Sequence, residues 1–73
     1  MMKDIRLLEL GNKIRFERMK RDLSQEQLAE LSGVSIRTIS DIERGLTDIR
    51  YTNLFEIASA FKLSLSDLLN YRY

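Results

Sequence analysis

Ile36, Arg37, Ser40, Asp41 and Arg44 recur at three- and four-residue spacings, with Ile39 and Ile42 interleaved between them. At a helical period the two isoleucines face a core, and the other five side chains point away from it. That outward set carries two guanidinium groups, a hydroxyl, a carboxylate and a branched apolar tip, which suits reading the edges of bases in a groove. Arg37, near the start of its helix, can bond guanine O6 and N7 together, a contact worth roughly 1–3 kcal/mol of discrimination; the other role open to it is a phosphate contact. Ile36 can meet a thymine methyl or pack on the preceding helix, and Ser40 can bond several bases. Asp41 is repelled by phosphates unless it accepts from cytosine N4 or is neutralised by Arg37 or Arg44, and a neighbouring arginine is the expected answer.

The elements that position these residues are marked by caps. Ser24 with Gln27 three residues on forms a capping box, which starts a helix at about Gln25; Leu28 and Leu31 lie within it and Gly33 ends it. Val34 fills the turn, Ser35 caps a second helix over 36–44, and Gly45 offers its stop. Upstream, Leu7, Leu10, Ile14 and Met19 give a helix ending near Arg21, with a start anywhere from Asp4 to Leu10; Gly11 inside it costs about 1 kcal/mol relative to Ala. Downstream, Leu54, Ile57, Ala58 and Phe61 follow the i, i+3, i+4, i+7 pattern and predict a helix over 51–61. Ser64 and Asp67 form a last capping box before Leu68 and Leu69. The fold class is therefore all-α, with five helices.

Gln25, Ala29, Gly33, the apolar set Leu28, Val34, Ile39 and Ile42, and the closing run Ile42, Glu43, Arg44, Gly45 resemble the helix-turn-helix of the phage repressor and Cro family of DNA-binding regulators, and the likeness covers roughly residues 10–70. Ser32 departs from that pattern, where an apolar residue or Ala is usual, and is expected to be half-buried. The resemblance implies a compact five-helix domain whose second and third helices form the motif, with the 36–44 helix in the major groove of double-stranded DNA. It implies that Gln25 holds a backbone phosphate at its helix N-terminus, where Ser24 also lies and free N–H groups favour an anion. Ser35 and Thr38 can act similarly on the other flank, and Thr47 and Arg50 fall in or beside a loop that runs along the backbone in such proteins. The family also pairs an arginine of the first helix with the glutamate ending the recognition helix; Arg18 and Glu43 occupy those places. Losing one partner of such a pair, where buried, costs about 3–5 kcal/mol.

Composition narrows the rest. Seventy-three residues are read as one domain, 1–73, near the lower size limit for a core without staples. Cysteine, histidine and proline are absent, which removes disulfides, thiolate chemistry and the usual zinc ligands, and suits a cytoplasmic setting. No cofactor, metal, small-molecule ligand or membrane segment is implied, and no catalytic constellation is present, so the chain is not expected to be an enzyme. The net charge is only +1, although residues 3–21 hold Lys3, Arg6, Lys13, Arg15, Arg18, Lys20 and Arg21 against Asp4, Glu9 and Glu17, a cluster that reads equally as a solvated face. A domain this small makes few base contacts, so a homodimer on a (pseudo)palindromic operator is expected, with Leu65, Leu69, Tyr71 and Tyr73 as its apolar surface. Relatives of this length include phage-type repressors, restriction-modification controller proteins and antitoxin-like regulators. The alternative is a protein-interaction module, antitoxin-like or a regulatory partner, that keeps the fold with weak or no DNA binding.

Overall fold

Local side-chain chemistry sets most helix boundaries. In the computed structural model, which describes residues 4–70, the helices are α1 (Ile5–Lys20), α2 (Gln25–Ser32), α3 (Ile36–Glu43), α4 (Tyr51–Ala60) and α5 (Leu65–Leu69). Asp4 starts α1 by accepting the Arg6 N–H at 2.9 Å. Ser24 and Gln27 make both bonds of the capping box on α2, at 3.0 and 2.8 Å. Ser64 accepts the Asp67 N–H on α5, half of the predicted box, and α4 begins at Arg50 without a side-chain cap. The predicted ends of α3 and α4 shorten by one residue, because Arg44 and Phe61 are the C-caps.

Three helices end in the same way. After α3, the Gly45 N–H bonds Ile42 O and the Leu46 N–H bonds Asp41 O, with Gly45 at φ 70°. This is the paired-bond ending that needs a left-handed residue. α1 and α4 use it too, with Asp22 (φ 55°) and Lys62 (φ 59°) where glycine would be unstrained.

The core gathers Ile14, Leu28, Ile39, Ile42, Ile57, Ala58 and Leu68 from all five helices, with Val34 from the α2–α3 turn and Phe61 from the C-cap of α4. α3 packs on α1 and α2, α4 on α2, and α5 closes against α1 and α4. Gly11, which reads as a defect in the sequence, is where α1 touches the end of α3: a Cβ there would overlap the Ile42 carbonyl oxygen and stand 2.9 Å from that of Glu43. Met19 and Leu31 are exposed, because the inward positions of α1 and α2 belong to Ile14 and Glu17, and to Leu28 and Ser32. Ser32 is buried, not half-buried, donating to Leu28 O at 2.7 Å and accepting the Val34 N–H at 3.2 Å. A polar group so paired costs little inside a core.

Glu17 is buried as well, held by Lys13 Nζ at 2.8 Å and Arg21 Nη1 at 2.6 Å. Arg21 continues to the Phe61 carbonyl at 2.9 Å and lies over the Phe61 ring, tying the end of α1 to the end of α4. Burial pushes the Glu17 carboxyl up, but hydrogen bonds from Lys13 and Arg21, with the charges of Lys13 and Lys20, prevail and leave it below its ordinary value. Among the described residues no helix is long and apolar enough to cross a membrane.

Candidate nucleic-acid interface

α3 is an eight-residue helix begun by Ser35, whose Oγ accepts the Thr38 N–H at 3.2 Å and donates to Thr38 Oγ1 at 2.8 Å. The single Ser35 hydroxyl proton is thereby used, and the Thr38 hydroxyl keeps its own for an outside acceptor. At about 100° per residue, Ile36, Ser40, Arg44, Arg37 and Asp41 fan across an arc of roughly 140°. The structure gathers all five, with Gln25 of α2, around one open groove of about 420 Å³. Ile36, Arg37 and Arg44 are exposed there, and Ser40 and Asp41 are half-buried.

The groove floor is braced from behind. Arg18 reaches from α1 and grips Glu43 with two bonds, Nε to Oε2 at 2.7 Å and Nη2 to Oε1 at 3.0 Å, while Nη1 donates to Leu23 O at 2.7 Å. The Glu43 carboxylate outweighs the effect of burial and raises Arg18 above its usual value. Gln25 Nε2 donates to the same Glu43 Oε1 at 3.1 Å. One carboxylate at the end of α3 thus fixes both the arginine beneath and the first side chain of α2. The family resemblance implies Arg18 with Glu43 and Gln25 on phosphate; that Gln25 also shares the carboxylate follows only from the docking of α2 and α3. The Gln25 amide keeps a second N–H and its carbonyl oxygen for other partners.

Asp41 accepts from Arg44 Nη2 at 3.1 Å, which settles which arginine it meets in the free protein; Arg37 makes no ion pair among the described residues. On the far flank of α3, Thr38, Thr47 and Arg50 meet around a smaller hollow of about 190 Å³ with Ile42, Asp48, Ile49 and Asn53. The possible phosphate contacts therefore fall into two groups, Ser24 and Gln25 on one side, Thr38, Thr47 and Arg50 on the other, with Ser35 at the head of α3. The basic run of α1 lies elsewhere in the bonding pattern: Arg6 pairs with Asp4, Lys13 and Arg21 with Glu17, and Arg18 with Glu43.

At the C-terminus, Leu65 packs half-buried against the core, leaving little of it for a partner, whereas Leu69 is exposed; Tyr71 and Tyr73 lie outside the described residues. A further exposed apolar pair is on α4, where Tyr51 (68% exposed) and Phe55 (50%) stand one turn apart. Their i, i+4 spacing off the Leu54, Ile57, Ala58 stripe was the available sequence signal.

Comparison with known proteins agrees with this geometry. The family model described as helix-turn-helix matches residues 14–68. Over 62 residues the chain is 38% identical to an uncharacterised HTH-type transcriptional regulator of Methanocaldococcus jannaschii, covering 85% of this chain and 94% of that protein. It is 39% identical over 72 residues to the control protein C.BamHI of Bacillus amyloliquefaciens, covering 97% and 88%. Among solved structures, the restriction-modification controller protein C.AhdI of Aeromonas hydrophila superimposes with a TM-score of 0.82 at 32% identity, over 85% of this chain and 94% of that one.

Proposed function

The chain belongs to the helix-turn-helix family of DNA-binding transcriptional regulators, and we propose that it acts in the cytoplasm as a homodimer on a (pseudo)palindromic operator. Residues 1–73 serve as one DNA-binding domain. α3 enters the major groove, with Ile36, Arg37, Ser40, Asp41 and Arg44 toward the bases. Ser24, Gln25, Ser35, Thr38, Thr47 and Arg50 hold the flanking phosphates. The observation that carries this reading is the single open groove in which the five outward residues of α3 meet Gln25. The likeness to an HTH-type transcriptional regulator and to two controller proteins supports a regulatory role.

Dimerisation is supported by the exposed pair Tyr51 and Phe55 on α4 and by Leu69 on α5, which packs against α4. Two copies related by a two-fold axis would read two half-sites about one helical turn apart. Selection of bound sequences from a random DNA pool tests the whole reading. The expected result is an inverted repeat with that spacing, bound with an affinity that falls steeply as salt rises, because phosphate contacts release counterions. A pool that yields no enriched sequence even at low salt rejects it in favour of a protein-interaction module.

A further inference from the structure

Arg44 sits at the C-cap of α3 on a backbone fixed from both sides, since the next two N–H groups bond Ile42 O and Asp41 O. Its side chain is 61% exposed, and its Nη2 meets Asp41 Oδ1 at 3.1 Å, one turn back on the same helix. Both residues line the groove that holds Arg37. A carboxylate there weakens attraction for every phosphate alike, so its presence calls for a compensating use.

Resting on the placement of α3 in the major groove, we propose that Asp41 is a specificity-determining residue that acts through Arg44: it holds the Arg44 guanidinium in one orientation to read a guanine, and its charge suppresses binding to unrelated sequence. A free arginine side chain samples many rotamers and can swing to either phosphate wall. Tethered to Asp41, it keeps four of its five N–H donors and loses that choice. Base preference at one position is gained at the expense of non-specific affinity.

The test is sequence selection and salt titration of wild type, Asp41→Asn, Arg44→Lys and Arg44→Ala, with Asp41→Asn also made on Arg44→Ala. Among the described side chains Asp41 hydrogen-bonds only Arg44, and neither residue belongs to the core, so all variants are expected to fold. Asp41→Asn is expected to raise affinity for unrelated DNA by roughly 3- to 10-fold and to flatten preference at one guanine position. Arg44→Lys is expected to lose the same preference while keeping the wild-type salt slope, because it keeps the charge but not the fork. On Arg44→Ala, Asp41→Asn is expected to change no base preference further. Loss of preference at a second position, persisting without Arg44, would mean that Asp41 itself contacts a base, and the proposal fails. It fails also if Asp41→Asn leaves the selected sequence and non-specific affinity unchanged. A wild-type protein that selects no sequence refutes the DNA-reading function on which the proposal stands.

Discussion

Gly11→Ala opposes two physical effects of opposite sign. In an isolated helix the substitution is favourable by about 1 kcal/mol. Here the added methyl would meet the carbonyl oxygens of Ile42 and Glu43, the latter at 2.9 Å, and both are main chain. Neither oxygen can rotate away, and Ile42 O is already bonded to the Gly45 N–H in the ending of α3. Relief requires α1 to withdraw from α3 by about 1 Å, and a gap of that size forfeits a quarter to a half of the dispersion attraction across the contact. Overpacking costs about 1–3 kcal/mol, and a main-chain obstruction belongs at the upper end, so the net loss is about 2 kcal/mol after the helix gain. A 73-residue domain has roughly 4–11 kcal/mol in total. In urea, with a slope of order 1 kcal/mol per molar, the midpoint should fall by about 2 M, while exposed Asn12→Ala on the same helix leaves it unchanged or higher. A midpoint that rises in Gly11→Ala would refute the close approach of α1 to the end of α3.

Arg18→Met should destabilise by about 3–5 kcal/mol by stranding buried Glu43, whereas Arg18→Met with Glu43→Leu should recover most of that in urea titrations yet bind DNA less well, since Gln25 loses its anchor. Lys62→Gly should gain about 0.5–1 kcal/mol by relieving a left-handed lysine, read as a rise of roughly 3–8 °C in Tm by calorimetry. Glu17 has a lowered folded-state pKa, so its stabilisation is present above the ordinary glutamate range and is lost as pH falls through the lowered value; Glu17→Gln should be weaker than wild type at neutral pH and converge with it only once the pH is below that lowered value, as followed by urea titrations across acid pH. Arg37→Ala should relax one operator position and Gln25→Ala should weaken all sites alike, as measured by competition binding.

The helix boundaries were legible because capping is local: Ser24, Gln27, Ser35, Gly33 and Gly45 act within four residues of themselves. Gly11 and Glu17 were opaque for the opposite reason. Gly11 is justified by carbonyls more than thirty positions away, and Glu17 looks solvated until Phe61 closes over Arg21. The outward set of α3 followed from the angle per residue alone. What the angle could not decide was pairing: Asp41 is equally near Arg37 and Arg44 by spacing, and Gln25 reaches Glu43 only after α2 and α3 dock.

The same pairing pattern explains how a protein of net charge +1 can hold DNA and why doubling matters. Within the basic N-terminal run Lys13, Arg18 and Arg21 are committed to the buried carboxylates of Glu17 and Glu43, and Arg6 pairs with the cap Asp4 at the surface, so those four cations serve architecture before they serve a DNA surface. Around α3, Arg37 and Arg50 have no acidic partner among the described residues, and Arg44 is half-neutralised by Asp41. Phosphate binding must then lean on N–H groups at helix starts, which are partial charges that act within about one turn. One copy should therefore bind weakly and with a shallow salt slope, about two phosphate charges' worth, and two copies on an inverted repeat should roughly double that slope. Measured slopes on half-site and full-site DNA distinguish the two: equal slopes would mean that a single copy makes all the phosphate contacts, and that the exposed aromatic face of α4 serves something other than pairing.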